Sequence, residues 1–222
     1  MKAALAKKTL IRIAVVESDP VRLVGFRAVF DSERDFELTS SSLSDVSTQQ
    51  NIDLVLLLGN RPGQNLFDVM ASLKATRPHL CVVVVGSGMD NETILKAIAF
   101  GAKGYLDVAA SPTDFVHAIR IVNQGSVWAP REVLSMFIDR VSSAPGRRFC
   151  AGRVTLTDRE REVLEMLVVG RSNKEIGATL GIEERTVKAH VAKLLRKVGV
   201  QNRIALSVHA ITHSLVSSPK PN

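Results

Sequence analysis

This chain of 222 residues has few cysteines and no long apolar run. Its two cysteines are too few for a disulfide framework, so a reducing cytoplasm is the expected compartment. No apolar run approaches the ~20 residues that a membrane-spanning helix needs, and the stretch MKAALAKKTL holds no apolar core long enough for a signal peptide. These shortages argue against a disulfide-built scaffold and a membrane protein and favour an ordinary globular chain.

The positive charge of the chain is concentrated toward its C-terminal end. The net charge is +7, yet residues 1–141 hold 15 Lys and Arg against 15 Asp and Glu. Residues 151–222 hold 12 Lys and Arg against 7 Asp and Glu. This distribution is typical of a regulatory or structural unit joined to a part that meets a polyanion. A basic surface that serves only solubility would give the same counts, so charge alone does not decide between the two.

Short apolar runs alternate with amphipathic stretches through residues 1–126. Strands are predicted at residues 11–16, 36–40, 53–58, 80–85 and 103–106, and several of them are continuous and apolar, as expected for strands covered on both faces. Helices are predicted between them and after the last one, which gives five strands and five helices if a short helix fills residues 43–50. The alternation implies an α/β domain with a five-stranded, doubly wound parallel sheet. Ligands of such sheets meet the carboxyl ends of the strands.

The first predicted helix shows how its start is encoded. Asp19 can cap it, and Pro20 suits the first turn, where its missing N–H costs nothing. We expect the buried side of this helix to contain four apolar residues: Val21, Val24, Val29 and Phe30.

The C-terminal part is predicted to be all-α. A further helix over residues 128–141 is followed by a polar stretch that Pro145 and Gly146 interrupt, so residues 127–153 are interpreted as a linker helix and a flexible linker. Residues 154–222 then form the last domain, with four helices. Two capping boxes, Thr157-x-x-Glu160 and Ser172-x-x-Glu175, start the first two of them. Asn202 can cap the fourth.

The second and third helices of this domain have the layout of a helix-turn-helix. A short helix closed by Gly181 precedes a longer one over residues 184–198. Apolar residues recur at helical spacing on one side of the longer helix, and the opposite side carries Arg185, Lys188, Ala189, Ala192, Lys193 and Arg196. Small residues let a helix sit deep in a major groove while basic ones reach bases and phosphates. A solvated helix face is the alternative, and the caps, turn glycine and charge excess favour DNA binding over it.

Residues 156–211 resemble the LuxR-type helix-turn-helix along their full length, through LTDREREVLEMLVVGRSNKEIGATLGI and RTVKAHVAKLLRKVGV. With the alternating domain in front, the chain resembles a NarL/FixJ-type response regulator, in which a receiver controls DNA binding, usually as a dimer. The resemblance implies that Lys188, Ala189 and Ala192 read bases and that the helix from Arg203 mediates dimerisation. It also implies DNA-backbone contacts at Lys174, Thr186 and Arg203.

The same resemblance exposes what the receiver lacks. Receivers of this family phosphorylate an aspartate after the third strand, using an acidic pair for Mg²⁺, a hydroxyl after the fourth strand and a lysine after the fifth. In this chain the acceptor position is Leu58, and the acidic pair is reduced to Glu17-Ser18. The hydroxyl and lysine positions are Gly86 and Val108. Because Leu has no nucleophile, the sequence predicts a pseudo-receiver with no phospho-acceptor, no metal site and no cofactor.

The sequence therefore predicts a transcriptional regulator that binds double-stranded DNA, as a homodimer, without control by aspartyl phosphorylation. Control would come from a small-molecule ligand, a partner protein, dimerisation or expression level. The alternative is an interaction protein whose pseudo-receiver docks a kinase, another regulator or a small ligand. An enzyme is not predicted, because no nucleophile–base pair is found and His209-x-x-x-His213 lacks the further ligands of a zinc site.

Overall fold

The structure is a computed structural model that describes residues 10–17, 19–59, 63–143, 155–213 and 215–216. Ser18 of the predicted pocket and residues 144–153 of the predicted linker lie outside the described residues. Backbone contacts group the chain into two compact units, one of residues 1–87 and 106–119 and the other of residues 88–105 and 120–222. The domain bounds expected from the sequence differ from this grouping and stay a prediction.

Five strands form one sheet in the order β2-β1-β3-β4-β5. They are β1 (Ile11–Val16), β2 (Phe36–Ser40), β3 (Leu54–Leu58), β4 (Cys81–Gly86) and β5 (Gly104–Asp107). The pairs β1–β2, β1–β3 and β3–β4 are all parallel, so the predicted doubly wound sheet is confirmed. The strand order reverses between β1 and β3, and the carboxyl ends of strands at such a reversal are where doubly wound folds build their sites.

Helices alternate with the five strands as predicted, and after β5 the described elements are all helices. They are α1 (Pro20–Phe30), α2 (Leu43–Thr48), α3 (Leu66–Thr76), α4 (Asn91–Phe100), α5 (Pro112–Asn123), α6 (Arg131–Ser143), α7 (Asp158–Val168), α8 (Asn173–Leu180), α9 (Glu184–Val198) and α10 (Arg203–Thr212). None of these described helices is long and apolar enough to cross a membrane.

The prediction for the start of α1 is confirmed, whereas the prediction for its buried side is wrong at two positions. The Asp19 side chain accepts a hydrogen bond from the backbone N–H of Val21 at 2.9 Å. Val21 and Val24, however, are 79% and 65% exposed, and the helix instead buries Phe26 and Phe30. At 3.6 residues per turn these two phenylalanines share one side, and the two valines fall on the other. Two large aromatic side chains outweigh two valines in selecting which side of a helix faces the sheet.

Helix α6 begins three residues later than predicted. Trp128 is extended and lies beside β5, where its N–H donates to the Lys103 carbonyl at 3.0 Å and its carbonyl accepts from the Tyr105 N–H at 2.8 Å. Because Pro130 disfavours helical geometry in the residue before it, the helix starts only at Arg131. Within the second unit α6 packs against α4, with Arg140 and Glu92 paired at 3.4 Å.

Both predicted capping boxes of the C-terminal helices are present, at Thr157–Glu160 and Ser172–Glu175. Gly181 ends α8 in the left-handed region at φ 66°. A Cβ at Gly177 would lie only 2.7 Å from the backbone carbonyl of Ile182, so α8 packs tightly on the turn that follows it. The result is a short helix, a tight turn and the longer helix α9, as the sequence predicts.

Candidate DNA interface and remnant receiver pocket

Helix α9 divides into an apolar side and a basic side. Val187, Val191, Leu194 and Val198 are buried. On the other side the exposed residues are Arg185, Lys188, Ala189, Lys193 and Arg196, and Ala192 is half-buried. Lys174 on α8 is exposed, and Thr186 is half-buried. The structure therefore brings the predicted base-reading residues to one exposed side of one helix.

Carboxylates already hold two cations near the start of α9. Arg185 Nε lies 2.5 Å from Glu183 Oε2, and Lys188 Nζ lies 3.3 Å from Glu184 Oε1. Lys188 Nζ also donates a hydrogen bond to Asn123 Oδ1 at the end of α5, at 3.3 Å. The Lys188 ammonium thus has one partner on its own helix and one on α5.

A buried acid on α7 pairs with two lysines in the C-terminal half of α9. Glu160, 1% exposed, lies 2.6 Å from Lys197 Nζ through Oε2 and 3.2 Å from Lys193 Nζ through Oε1. The hydrogen bond from Lys197 and the one from the Thr157 backbone N–H lower the pKa of Glu160 to about 2, against the opposing effect of burial, with a smaller lowering from Lys193. Lys193 is thus both an exposed cation of the basic side and a partner of a buried acid.

Arg203 does not lie on the exposed surface that its predicted DNA-backbone contact requires. Its side chain is buried, and its guanidinium donates to the backbone carbonyl of Leu167 in the last turn of α7 and to that of Arg171 in the turn that follows. Burial lowers its pKa from the usual value, and the charge of Glu175 opposes that shift. In this structure Arg203 binds carbonyls at and just beyond the end of α7, an arrangement that favours a structural role.

Sequence reasoning missed the partners of the basic side. Glu183, Glu184, Asn123 and Glu160 were not predicted to contact its cations. Only the pair formed by Glu184 and Lys188 carries a local signal, because side chains four residues apart are neighbours on a helix. The contact between Lys188 and Asn123 joins positions 65 residues apart, which no local pattern reveals.

The remaining acid of the receiver pocket, Glu17, is already paired. Its side chain is almost fully buried, and Oε1 accepts a hydrogen bond from the backbone N–H of Asp19 at 2.9 Å. Oε2 lies 3.3 Å from Arg22 NH1, and Arg22 Nε lies 3.7 Å from Asp19 Oδ2. A guanidinium therefore neutralises the carboxylate that remains at the carboxyl end of β1.

The other pocket positions carry apolar side chains or only backbone. Leu58 is 4% exposed and stands beside Val85 of β4. Gly86 is buried, and its carbonyl accepts a hydrogen bond from the Val108 N–H at 2.9 Å. The Val108 side chain is 45% exposed. Gly86 and Val108 contact each other only through this backbone hydrogen bond. Neither position supplies the hydroxyl or the lysine that a phosphorylatable receiver carries there.

Metal ligands do not cluster in the part of the chain that the structure describes, where no group of three or more His, Cys, Asp or Glu could hold an ion. His209 and His213 stack with their ring centroids 4.0 Å apart. Burial, and then the charge of His213, lower the pKa of His209.

Comparison with known proteins identifies the family. Residues 154–210 match the family described as bacterial regulatory proteins, luxR family. The chain is 33% identical over 172 residues to a glycerol metabolism activator of Pseudomonas putida, covering 74% of this chain and 76% of the relative. It is 28% identical to the nitrate/nitrite response regulator protein NarP of Escherichia coli, covering 92% of this chain and 96% of the relative.

A solved structure agrees with the fold. The chain is similar to a structure described as two RcsB dimers bound to two parallel DNAs, with a TM-score of 0.52 and 17% identity, over 94% of this chain and 100% of that one. The predicted fold, a receiver-like α/β part and a helical LuxR-type part, is confirmed. The chain is a transcriptional regulator with a DNA-binding helix-turn-helix, and it belongs to the LuxR family of bacterial regulatory proteins as a response regulator of the NarL/FixJ type.

Proposed function

We propose that this regulator binds specific DNA sequences through α9 and that aspartyl phosphorylation does not control it. Leu58 is the observation that carries the second half of the proposal. It fills the acceptor position with a buried side chain that has no nucleophile, and a buried Leu stabilises the fold by ~1.5–3 kcal/mol.

The state of Glu17 supports the same conclusion. Mg²⁺ prefers an octahedral shell of oxygens and usually keeps one or two protein carboxylates in it. Here both oxygens of the remaining pocket acid are already engaged, by a backbone N–H and by Arg22. Arg22 supplies the positive charge beside Glu17 that a metal ion supplies in a phosphorylatable receiver.

On the DNA side, the proposed base-reading residues are Lys188, Ala189 and Ala192. The small side chains of Ala189 and Ala192 let α9 approach the floor of the major groove, while Lys188 reaches base edges. Lys174 and Thr186 are proposed at the phosphates, with Arg185, Lys193 and Arg196 adding positive charge around them. Arg203 is left out of this proposed surface because its guanidinium is engaged inside the protein.

We further propose that the protein binds DNA as a homodimer, with α10 as the pairing element. Ile211 on this helix is 45% exposed, and Ile204 and Val208, which are half-buried, precede it at helical spacing. A two-fold dimer on DNA calls for two half-sites of inverted sequence.

Selection from genomic DNA fragments tests the proposed DNA binding. The full chain, never exposed to a phosphodonor, is immobilised and offered fragments over several rounds. We expect enrichment of a duplex with inverted half-sites, bound more tightly than its scrambled version at the same salt concentration. Recovery of no common sequence by a protein with the expected helical content would contradict the proposal.

A further inference from the structure

The two partners of Lys188 differ in one way that affects DNA binding. Glu184 lies one turn before Lys188 on the same helix, α9, so its carboxylate stays close to the lysine in the free protein and in a complex with DNA. Asn123 lies at the end of α5, a different element, so its amide accompanies Lys188 only in the arrangement seen here. Glu184 therefore stays close to Lys188, the proposed base-reading residue, when α9 binds DNA. The contact with Asn123 is lost when Lys188 binds DNA.

Glu184 also stands at the end of α9 that meets base edges. In helix-turn-helix proteins the N-terminal residues of the recognition helix contact the bases, and Glu184 is the first residue of α9. Its side chain is about one-third exposed. The carboxylate therefore enters the groove together with the ammonium that it pairs.

A carboxylate in the major groove has a narrow choice of partners. Guanine presents the acceptors N7 and O6, and thymine presents the acceptor O4, all of which repel it, as the phosphates do. Adenine and cytosine present amino groups that can donate to a carboxylate, but the N6 amino group of adenine lies beside the acceptor N7, whereas the N4 amino group of cytosine has no acceptor beside it in the groove, so cytosine is the better partner. When Lys188 leaves Glu184 for guanine O6 and N7, the released carboxylate needs such a donor close by.

We propose that Glu184 is a specificity-determining residue of the DNA interface. On DNA that offers guanine to Lys188 and a cytosine N4 amino group to Glu184, the ion pair is exchanged for two base contacts. On other DNA the pair stays closed or the carboxylate faces acceptors, so these complexes are weakened. The proposal rests on the proposed function, because it requires Lys188 to contact bases.

Glu184→Gln is the primary test, measured on the enriched duplex and on its scrambled version at several salt concentrations. Glutamine keeps the shape and removes the negative charge, so scrambled DNA should bind about three- to tenfold more tightly, because a repelled carboxylate has gone. The enriched duplex should gain less. The affinity ratio between the two duplexes therefore falls.

Two matched variants separate this role from a general effect. Asn123→Ala also frees Lys188, but only in the unbound protein, so it should raise both affinities by the same factor and leave the ratio unchanged. Glu162→Gln removes the same charge on α7, where Glu162 pairs with Arg159 at 2.7 Å, and should leave the ratio unchanged as well. An unchanged ratio in Glu184→Gln, or equal gains on both duplexes as for Asn123→Ala, overturns the proposal.

Lys188→Ala distinguishes failure of this inference from failure of the proposed function. If Lys188 reads bases, Lys188→Ala lowers the ratio by itself. If Lys188→Ala leaves binding of the enriched duplex unchanged, the assignment of the DNA-reading side has failed. If Lys188→Ala lowers the ratio but Glu184→Gln does not, only the role of Glu184 is refuted.

Discussion

Single residues decide whether the receiver pocket can react. A carboxylate at position 58 would be the nucleophile of the family's chemistry, and the buried Leu58 removes it. Arg22 then balances the charge of Glu17, with its NH1 3.3 Å from Glu17 Oε2. The two residues act in the same direction. A pocket without an acceptor gains nothing from a metal ion, and the guanidinium of Arg22 already balances the charge of Glu17.

Leu58→Asp should destabilise the fold without restoring phosphorylation. A buried carboxylate lacking partners costs several kcal/mol or stays protonated, against a total stability of ~5–15 kcal/mol. Gly86 and Val108 still omit the hydroxyl and the lysine. Urea unfolding and intact mass after treatment with an acyl-phosphate donor measure both effects. Leu58→Met, which conserves volume, is the control and should cost less than ~1.5 kcal/mol. An aspartate variant as stable as this control would mean that position 58 is not a buried strand end.

Glu160 should make the stability of the protein depend on pH in the acid range. Its pKa is lowered from 4.5 to about 2 in the folded protein, so its contribution is fully present above the unfolded pKa. It is lost as the pH falls from about 5 towards 2. Glu160→Gln should flatten this part of a plot of unfolding free energy against pH. Parallel curves for wild type and Glu160→Gln would show that the cluster with Lys193 and Lys197 does not form in solution.

At the scale of elements, α8 and α9 divide the proposed DNA contacts between them. Lys188 on α9 is proposed to read bases, and Lys174 on α8 is proposed to contact a phosphate. The two lysines carry the same charge. A difference between their variants in sequence preference therefore reports where each lysine contacts the DNA and not the loss of charge.

Lys188→Ala should weaken binding to the enriched duplex by ~1–3 kcal/mol and leave scrambled DNA much less affected. Lys174→Ala should weaken both duplexes alike and reduce the slope of log affinity against log salt by about one. Titrations of both variants at several salt concentrations measure this. Equal losses from the two variants on both duplexes would show that α9 makes no base contact at Lys188.

Local patterns predicted the elements well, and interactions between distant elements escaped them. Asp19, Thr157 and Ser172 were predicted as caps because a cap needs only a side chain and a backbone N–H two or three residues away. The exposed positions of Val21 and Val24 were missed, because the side that a helix buries depends on what packs against it. Arg203 was assigned to DNA by resemblance, and only tertiary structure reveals the carbonyls that it binds.

At the scale of the whole molecule, the proposal concerns two copies on one DNA. A symmetric dimer places its recognition helices one helical turn, ~10 bp, apart or a multiple of that. The pairing surface proposed on α10 centres on an exposed isoleucine. Its replacement should therefore weaken the binding of a full site more than that of a half-site.

Ile211→Asp should lower affinity for a duplex with two half-sites and leave affinity for one half-site unchanged, because charges placed face to face oppose pairing. Val169→Asp is the matched control, since Val169 is another exposed apolar residue, at the end of α7. Footprinting and the protein-to-DNA stoichiometry provide the readout. On the duplex with two half-sites, a footprint over only one half-site with one wild-type molecule bound would refute the dimer, and equal losses in both variants would show that α10 is not its pairing surface.

The most direct test of the central claim measures mass and DNA affinity of the full wild-type chain with and without an acyl-phosphate donor and Mg²⁺. A receiver that retains the aspartate, the acidic pair, the hydroxyl and the lysine serves as the positive control for the donor. We predict that this protein keeps its mass, because Leu58 offers no acceptor, and that it binds the enriched duplex with the same affinity in both conditions. A donor-dependent gain of one phosphoryl group, or a donor-dependent change in DNA affinity, would contradict the account.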